Sequence, residues 1–436
     1  MSTVLGPGSV DEQKHETQVV PIEAEAVAVN PDDEVPEGGY GWVNVAAVST
    51  INCFVWGVAA SFGVYLAYYL ANDHFPGATP LDYALIGGLN FAIGMALAPL
   101  VTIVVRRLGT RPTMMIGVTV HALGFVSASF VSSIGGLYAT QGVLIGIGIS
   151  FMFIPSVAVL PQWFKKRRTL AQGISSGGSG IGGLAFSLGT NAMIRNINLA
   201  WSLRITGIIC FVFNTAATLL LRDRNKSVKP TQVGFATYLL KRYEVVLLLS
   251  YSFVNMFGYM ALLYSLSNYA ISIGLSQYQA SMVTAILNLG TFVGRPAVGV
   301  ASDKLGRIPV AGALAMFTGL SCFFFWIPAT SYGVLLFYAF VAGMVIGTFW
   351  MTIGPLAAEV AGLREVPSLL SLSWISIILP CLFAEVVALY LRRPGAQRPY
   401  LYCQIFTGLA YCVGSLFLAE LWRVKRKKAR QTAQGT

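Results

Sequence analysis

Charge is what this sequence has least of. Asp, Glu, Lys and Arg together make up 11% of its 436 residues, against 55% hydrophobic. Soluble domains carry roughly 25% charge because a water-facing surface needs it. A chain this apolar has no material for such a surface, so a lipid-facing one is expected. Cysteine supplies no framework. Cys53, Cys210, Cys322, Cys381 and Cys412 lie within apolar runs, Cys403 lies near the start of one, and no CxxC occurs. They read as free thiols or small packing residues, and no metal site is expected. Catalytic motifs are missing too: there is no HExxH, no Walker A sequence and no nucleophile–base cluster. That argues against a membrane enzyme, a resident cofactor and an ATP-driven pump. The N-terminus lacks the basic region and apolar stretch of a secretory signal.

Long apolar runs fill the rest. Candidate spans cover 42–70, 83–105, 113–131, 137–160, 170–190, 200–221, 244–270, 280–300, 309–327, 331–355, 367–391 and 400–422. Each is long enough to cross ~30 Å of hydrocarbon as a helix. Glycine is abundant at 45 residues, as close packing of membrane helices requires. The expectation is an all-α polytopic membrane protein with twelve transmembrane helices.

The net charge of +11 does not point to nucleic acid, because the basic residues sit in short clusters between apolar runs. Arg106, Arg107 and Arg111, the cluster Lys165–Arg168, the stretch from Arg222 to Arg242, Lys304, Arg307, Arg364 and the tail from Arg423 all fall on one side. The opposite loops hold Arg195, Arg392, Arg393 and Arg398. The positive-inside rule then puts both termini in the cytoplasm. The plasma membrane is the default location, and a vacuolar membrane satisfies the same sequence.

Five regions are expected. Residues 1–38 form an acidic, proline-bearing tail without the apolar content to fold. Residues 39–221 form a first six-helix bundle, 222–243 a polar linker, 244–422 a second bundle, and 423–436 a basic tail. An internal repeat supports the halving. Gly299-Val-Ala-Ser-Asp303-Lys304-Leu305-Gly306-Arg307-Ile-Pro309 follows span eight, and Arg106-Arg107-Leu108-Gly109-Thr110-Arg111-Pro112 follows span two. The glycines suit a tight turn, and Asp303 suits a helix cap or an ion pair. Repeated halves are the architecture of secondary transporters.

These segments resemble the signature of the major facilitator superfamily, with Arg106 standing where the second copy has Asp303. Glu37-Gly38-Gly39-Tyr40-Gly41-Trp42 resembles the motif that leads into the first helix of monocarboxylate-type transporters. Trp163-Phe164-Lys165-Lys166-Arg167-Arg168-Thr169-Leu170-Ala171-Gln172-Gly173 resembles their loop into the fifth, and the style of the whole chain resembles the fungal branch. The resemblance implies two pseudo-symmetric six-helix bundles and alternating-access transport. It also implies gating roles for Gly299, Asp303 and Arg307, with Arg106 and Arg107 at the equivalent place. Arg295 resembles the arginine such carriers set against a substrate carboxylate. Their aspartate one turn earlier is Thr291 here, and their first-helix lysine is absent from Gly57–Ser61.

The residues support a site by themselves. A charge inside a membrane helix is costly unless it is paired or faces a cavity, which marks Arg295 and Glu385. Arg295 offers a fork to a carboxylate. Glu385 and His121 are the candidates for carrying a proton. Asn52, Trp56, Tyr259, Asn288 and Thr291 are candidate cavity residues, with Trp350 and Trp374 beyond them, and their aromatic surfaces suit a planar or partly apolar ligand. The expected partners are a small organic solute, a proton and membrane lipid, with the monomer as functional unit. The solute is expected to be an organic acid or other metabolite. Riboflavin-like compounds and exported secondary metabolites are the alternative class, and a receptor or scaffold that does not transport is the alternative function.

Overall fold

A computed structural model describes residues 2–3, 35–72, 75–393 and 395–434. The acidic tail expected over 1–38 therefore lies largely outside the described residues. Among these residues every regular element is helical. The long helices are α1 (Tyr40–Asn52), α2 (Pro80–Ala96), α3 (Ala98–Leu108), α4 (Thr110–Ala128), α5 (Ile145–Val159), α6 (Arg168–Asn196) and α7 (Leu199–Leu220). The second series is α8 (Tyr243–Ser272), α9 (Gln277–Leu305), α10 (Arg307–Ser321), α11 (Tyr332–Ile346), α12 (Thr348–Ala361), α13 (Val366–Ser376), α14 (Ile378–Leu391) and α15 (Leu401–Gln434).

Among the described residues, nine helical stretches are long and apolar enough to cross a membrane, or ten if the pair α2–α3, bent by 47° at Leu97, is one span. Twelve spans also need α4 and α6. The Ser/Gly run of α6, from Ser175 to Gly183, lowers its apolar content. Large apolar side chains such as Leu123, Phe213, Phe324, Phe337 and Leu409 are exposed on the outer surfaces, as lipid contact requires.

Local chemistry sets where helices begin and bend. Thr79 and Asp82 form a reciprocal capping box at the start of α2, and Ser276 with Gln279 repeats it at the start of α9. Gly109 and Gly306 follow these boxes by the same number of residues, and both have positive φ, at 87° and 104°. A side chain there would be strained, so glycine allows α3 and α9 to turn directly into α4 and α10. The repeat is thus present in the backbone as well as in the letters.

The helices α1–α7 pack mainly on one another, through α1 with α6 and α7, α4 with α5 and α7, and α2 with α5. The helices α8–α15 do the same through α8 with α14 and α15, α9 with α11, and α10 with α15. Contacts across the seam run through α6 with α9 and α12, α2 with α14, and α3 with α13.

Candidate substrate site and gates

A buried charge lies on the seam. Arg295 on α9 is 7% exposed. Its Nη1 donates to the Ser176 carbonyl and, at 2.8 Å, to the Ser179 hydroxyl, both on α6. Its Nε has no partner, and among the described residues Arg295 makes no ion pair. The guanidinium lies so close over Gly347 that a Cβ there would sit 2.9 Å from Nε. Glycine at the α11–α12 break therefore makes room for the arginine.

One turn beyond Gly347, Trp350 is the hub of an aromatic cluster drawn from both sets of helices. Its ring centroid lies 5.9 Å from each of Trp56, Trp374 and Tyr259. Phe153 closes the group, 5.1 Å from Trp56 and 5.5 Å from Trp374. Phe91 packs at a tilt on Trp56 from α2, at 4.7 Å. The indole N–H groups of Trp56 and Trp374 are buried with no hydrogen-bond acceptor among the described residues. Unsatisfied donors in an apolar setting are costly, by about 1–3 kcal/mol each. Together with Arg295 Nε they make an aromatic surface with free donors and no acid among the described side chains.

Tyr259 lies within electrostatic reach of Arg295, and Trp56 belongs to the cluster. Trp56 sits on a π-helical turn, Cys53–Gly57, which interrupts the regular winding beside the site. Asn52 is buried but spends its amide on the Val48 carbonyl of its own helix, at 2.9 Å. Thr291 is likewise committed, donating to Leu287 and, at 3.1 Å, to Gly343 on α11. Asn288 is half-buried on α9, where its backbone carbonyl faces Gly180. His121 is buried against Gly148 and Phe125, and among the described residues both its ring nitrogens are unpartnered; none of the cluster's rings packs on it there. Glu385 falls on α14, and its side chain lies outside the described residues. Ser176, Ser179, Phe91, Phe153 and Gly347 were not expected. They sit within apolar or small-residue runs whose composition carries no site signal.

The glycines of α6 divide into two jobs. Gly178 and Gly182 press on α1: a Cβ would lie 2.2 Å from the Ser49 carbonyl and 2.3 Å from that of Cys53. Gly173 meets the Arg295 carbonyl on α9 at 2.5 Å, while Gly177 and Gly180 face α9 with room to spare. The α1 contact is fixed packing within one set, and the α9 contact lies on the seam.

One face carries the loops Lys165–Arg168 and Lys304–Arg307 and is called the basic face below. There the Asp303 carboxylate reaches across the seam. It accepts the Thr169 N–H at 3.1 Å and the Leu170 N–H at 2.8 Å, two of the unpaired donors that open α6. Arg307 pairs with Asp303 at 3.3 Å and donates to the Lys165 carbonyl. Gly299 admits α6, since a Cβ would lie 2.8 Å from Leu170 Cα. The lock is short-range and sits at a helix N-terminus, where a carboxylate is favoured. Arg106 and Arg107 are exposed, with no ion pair among the described residues.

The two further motifs meet on the same face. Glu37, held at φ 57°, accepts the Lys165 N–H at 2.6 Å and also that of Lys166. Tyr40 stacks near Trp163 and donates to the Leu220 carbonyl at 2.7 Å, while Trp42 packs on Phe164. The segment that leads into α1 is clamped to the loop that leads into α6.

A family model described as Major Facilitator Superfamily matches residues 44–384. The chain belongs to the Major Facilitator Superfamily. This superfamily member is 33% identical to the "Probable transporter MCH2" of Saccharomyces cerevisiae, over 92% of this chain and 88% of that protein. It is 26% identical to the "Monocarboxylate transporter 10" of Danio rerio, over 92% of this chain and 83% of that one. Among solved structures it is similar to the transporter FucP in an outward conformation, with TM-score 0.67 and 15% identity, covering 88% of this chain and 99% of FucP. The expected fold and family are thereby borne out. The protein is a multi-pass membrane transporter of small solutes.

Proposed function

We propose that this transporter carries an organic anion with a planar or apolar body, by alternating access between two six-span halves. The observation that carries the reading is Arg295: a buried guanidinium on the seam, without an ion pair among the described residues, beside aromatic rings with unsatisfied N–H donors. A carboxylate would take the arginine's fork, and the rings would cover the rest of the molecule. With Thr291 in place of an acid, the arginine has no ion-pair partner among the described residues, and a substrate anion would supply one. The relative named Monocarboxylate transporter 10 supports the anion class.

The reading has twelve spans, halves of 39–221 and 244–422 joined by 222–243, and both termini in the cytoplasm, so that the basic face is the inner one. Asp303 and Arg307 act there as the gate. Proteoliposome flux of a panel of aromatic and aliphatic carboxylates tests the proposal. Saturable uptake that favours aromatic acids and falls at least tenfold in Arg295→Ala is expected. Uptake of every transported anion at wild-type rates in Arg295→Ala would overturn it. Running the assay with and without a pH gradient assigns the coupling. Acceleration by an inward proton gradient, lost in Glu385→Gln, assigns symport, and indifference to the gradient assigns facilitated diffusion.

A further inference from the structure

The internal repeat places an equivalent of the Asp303 lock on the other side of the seam, where α3 meets α13. That lock is missing on both partners. Arg106 stands in place of the carboxylate. The second residue of α13 is Pro367, which has no N–H to offer, whereas Thr169 and Leu170 of α6 both donate to Asp303.

The segment between α7 and α8 fills this place. Its first part is stitched to the first set of helices: Arg222 exchanges two hydrogen bonds with Asn44, the Arg224 N–H donates to Gln162 at 2.7 Å, and Asn225 bonds Thr110 at 3.2 Å. Its second part is stitched to α13 and the turn before it. The Thr231 N–H donates to the Arg364 carbonyl at 2.9 Å, the Val233 N–H to Ser368 Oγ at 2.9 Å, and Ser371 Oγ to the Gly234 carbonyl at 2.8 Å. At Gly234 the same backbone presses on α3, so closely that a Cβ would lie 2.5 Å from the Pro99 carbonyl oxygen. Lys229 and Gln232 take positive φ, at 46° and 47°, a conformation that non-glycine residues hold only when their surroundings impose it.

We infer that residues 231–234 form a second gate at the basic face, a backbone wedge between α3 and α13 that replaces the carboxylate lock lost with Arg106. The inference rests on the alternating-access reading. For the seam to part at this face, the strap must leave Pro99 while staying on α13. The stretch from Asn225 to Thr231 is then the tether whose extension limits how far the face opens, at most ~3.3–3.6 Å per residue.

A single reporter thiol at Thr102→Cys, in an otherwise cysteine-free transporter, tests this. Thr102 is buried beside the strap, in a cleft that Gln232 and Pro367 also line. The readout is its rate of labelling by a membrane-impermeant maleimide in membrane sheets open to both faces. The double variant Ser368→Ala/Ser371→Ala removes the two hydrogen bonds that hold the wedge in its seat against Pro99; a wedge free to shift on α13 no longer fills the closed seam, and the rate should rise by roughly threefold or more. Gly234→Val should raise it further, and Thr at both serine positions should return it toward the parent. Asp303→Asn serves as the reference for opening on the α6–α9 side. Strap variants that label at the parent rate while Asp303→Asn labels faster would overturn the second gate and leave alternating access standing. If no variant changes the rate, the closed basic face is not a gate at all, and both readings fail. Each variant is first shown to be monodisperse by size-exclusion chromatography, so that a raised rate reports opening and not unfolding.

Discussion

On the proposed reading, Arg295 is the residue on which the chemistry of this transporter turns. Its cost is desolvation, and two hydrogen bonds to α6 offset only part of it. Lysine at this position keeps the charge but loses the planar fork. Arg295→Lys is therefore expected to slow anion uptake about tenfold to a hundredfold, the ~1.5–3 kcal/mol of a charge-assisted hydrogen bond. Flux in proteoliposomes checks this, and undiminished uptake would argue that the charge alone suffices. The tryptophans separate shape from hydrogen bonding. Trp56→Phe keeps an aromatic face and removes a donor that has no acceptor among the described residues. If a bound anion takes that N–H, Trp56→Phe weakens binding by about as much as one hydrogen bond, ~0.5–1.5 kcal/mol. If the ring supplies only surface, Trp56→Phe binds like the parent and only Trp56→Ala is impaired. Isothermal titration with a transported acid decides between these. The sequence made Arg295 and Trp56 visible because charge and indole are rare inside membrane helices. It hid Ser176 and Ser179, whose importance comes only from lying opposite Arg295.

At the scale of elements, α6 is where substitution should be most informative. Gly178→Ala places a carbon 2.2 Å from the Ser49 carbonyl, a distance no packing adjustment of α1 absorbs cheaply. A loss of ~1–3 kcal/mol is expected, seen as a lower melting temperature in detergent. Gly177→Ala meets only Phe292 at 3.9 Å and should leave the melting temperature unchanged. Equal effects at the two positions would refute this division of α6. The start of α2 makes a different prediction. Asp82, outside the apolar span, has its carboxyl held below the usual carboxylate range by the backbone hydrogen bond from Thr79. Its folded pKa is lower than its unfolded one, so the cap contributes above the ordinary carboxylate range and is lost as pH falls through the lowered value. The melting temperature of Asp82→Asn should thus lie below that of the parent at neutral pH, and the gap should close in acid below about pH 4. A gap independent of pH would show that the cap does not depend on the charge.

At the scale of the molecule, short-range polar contacts join the two sets of helices at the basic face, beside the close packing of α6 on α9. Asp303 satisfies two amides that would otherwise be unpaired at the start of α6. Asp303→Asn leaves one oxygen to accept and weakens the pairing with Arg307. The expected outcome is a population shifted toward opening at the basic face by roughly tenfold, the order of a charge-assisted contact. Labelling of thiols placed at that face in oriented vesicles checks it. Unchanged labelling would mean that Gly299 and Gly173 packing, not the carboxylate, holds the face shut.

The sequence by itself determined the class of molecule: helices that cross a membrane, basic clusters in every second loop, a repeat marked by Gly109 and Gly306, and one arginine too deep to be ornamental. These follow from composition and local geometry, which are properties of neighbours along the chain. What only the tertiary structure decided is which distant groups meet. It divided the α6 glycines between α1 and α9, and it set Thr291 and Asn52 to holding helices. It gathered Trp56, Phe153, Trp350 and Trp374 into one cluster, and it laid residues 231–234 against Pro99. Those outcomes depend on the facing of helices across a seam. Helices that are apolar on nearly every side carry too little periodic contrast for a sequence to state which side faces which partner.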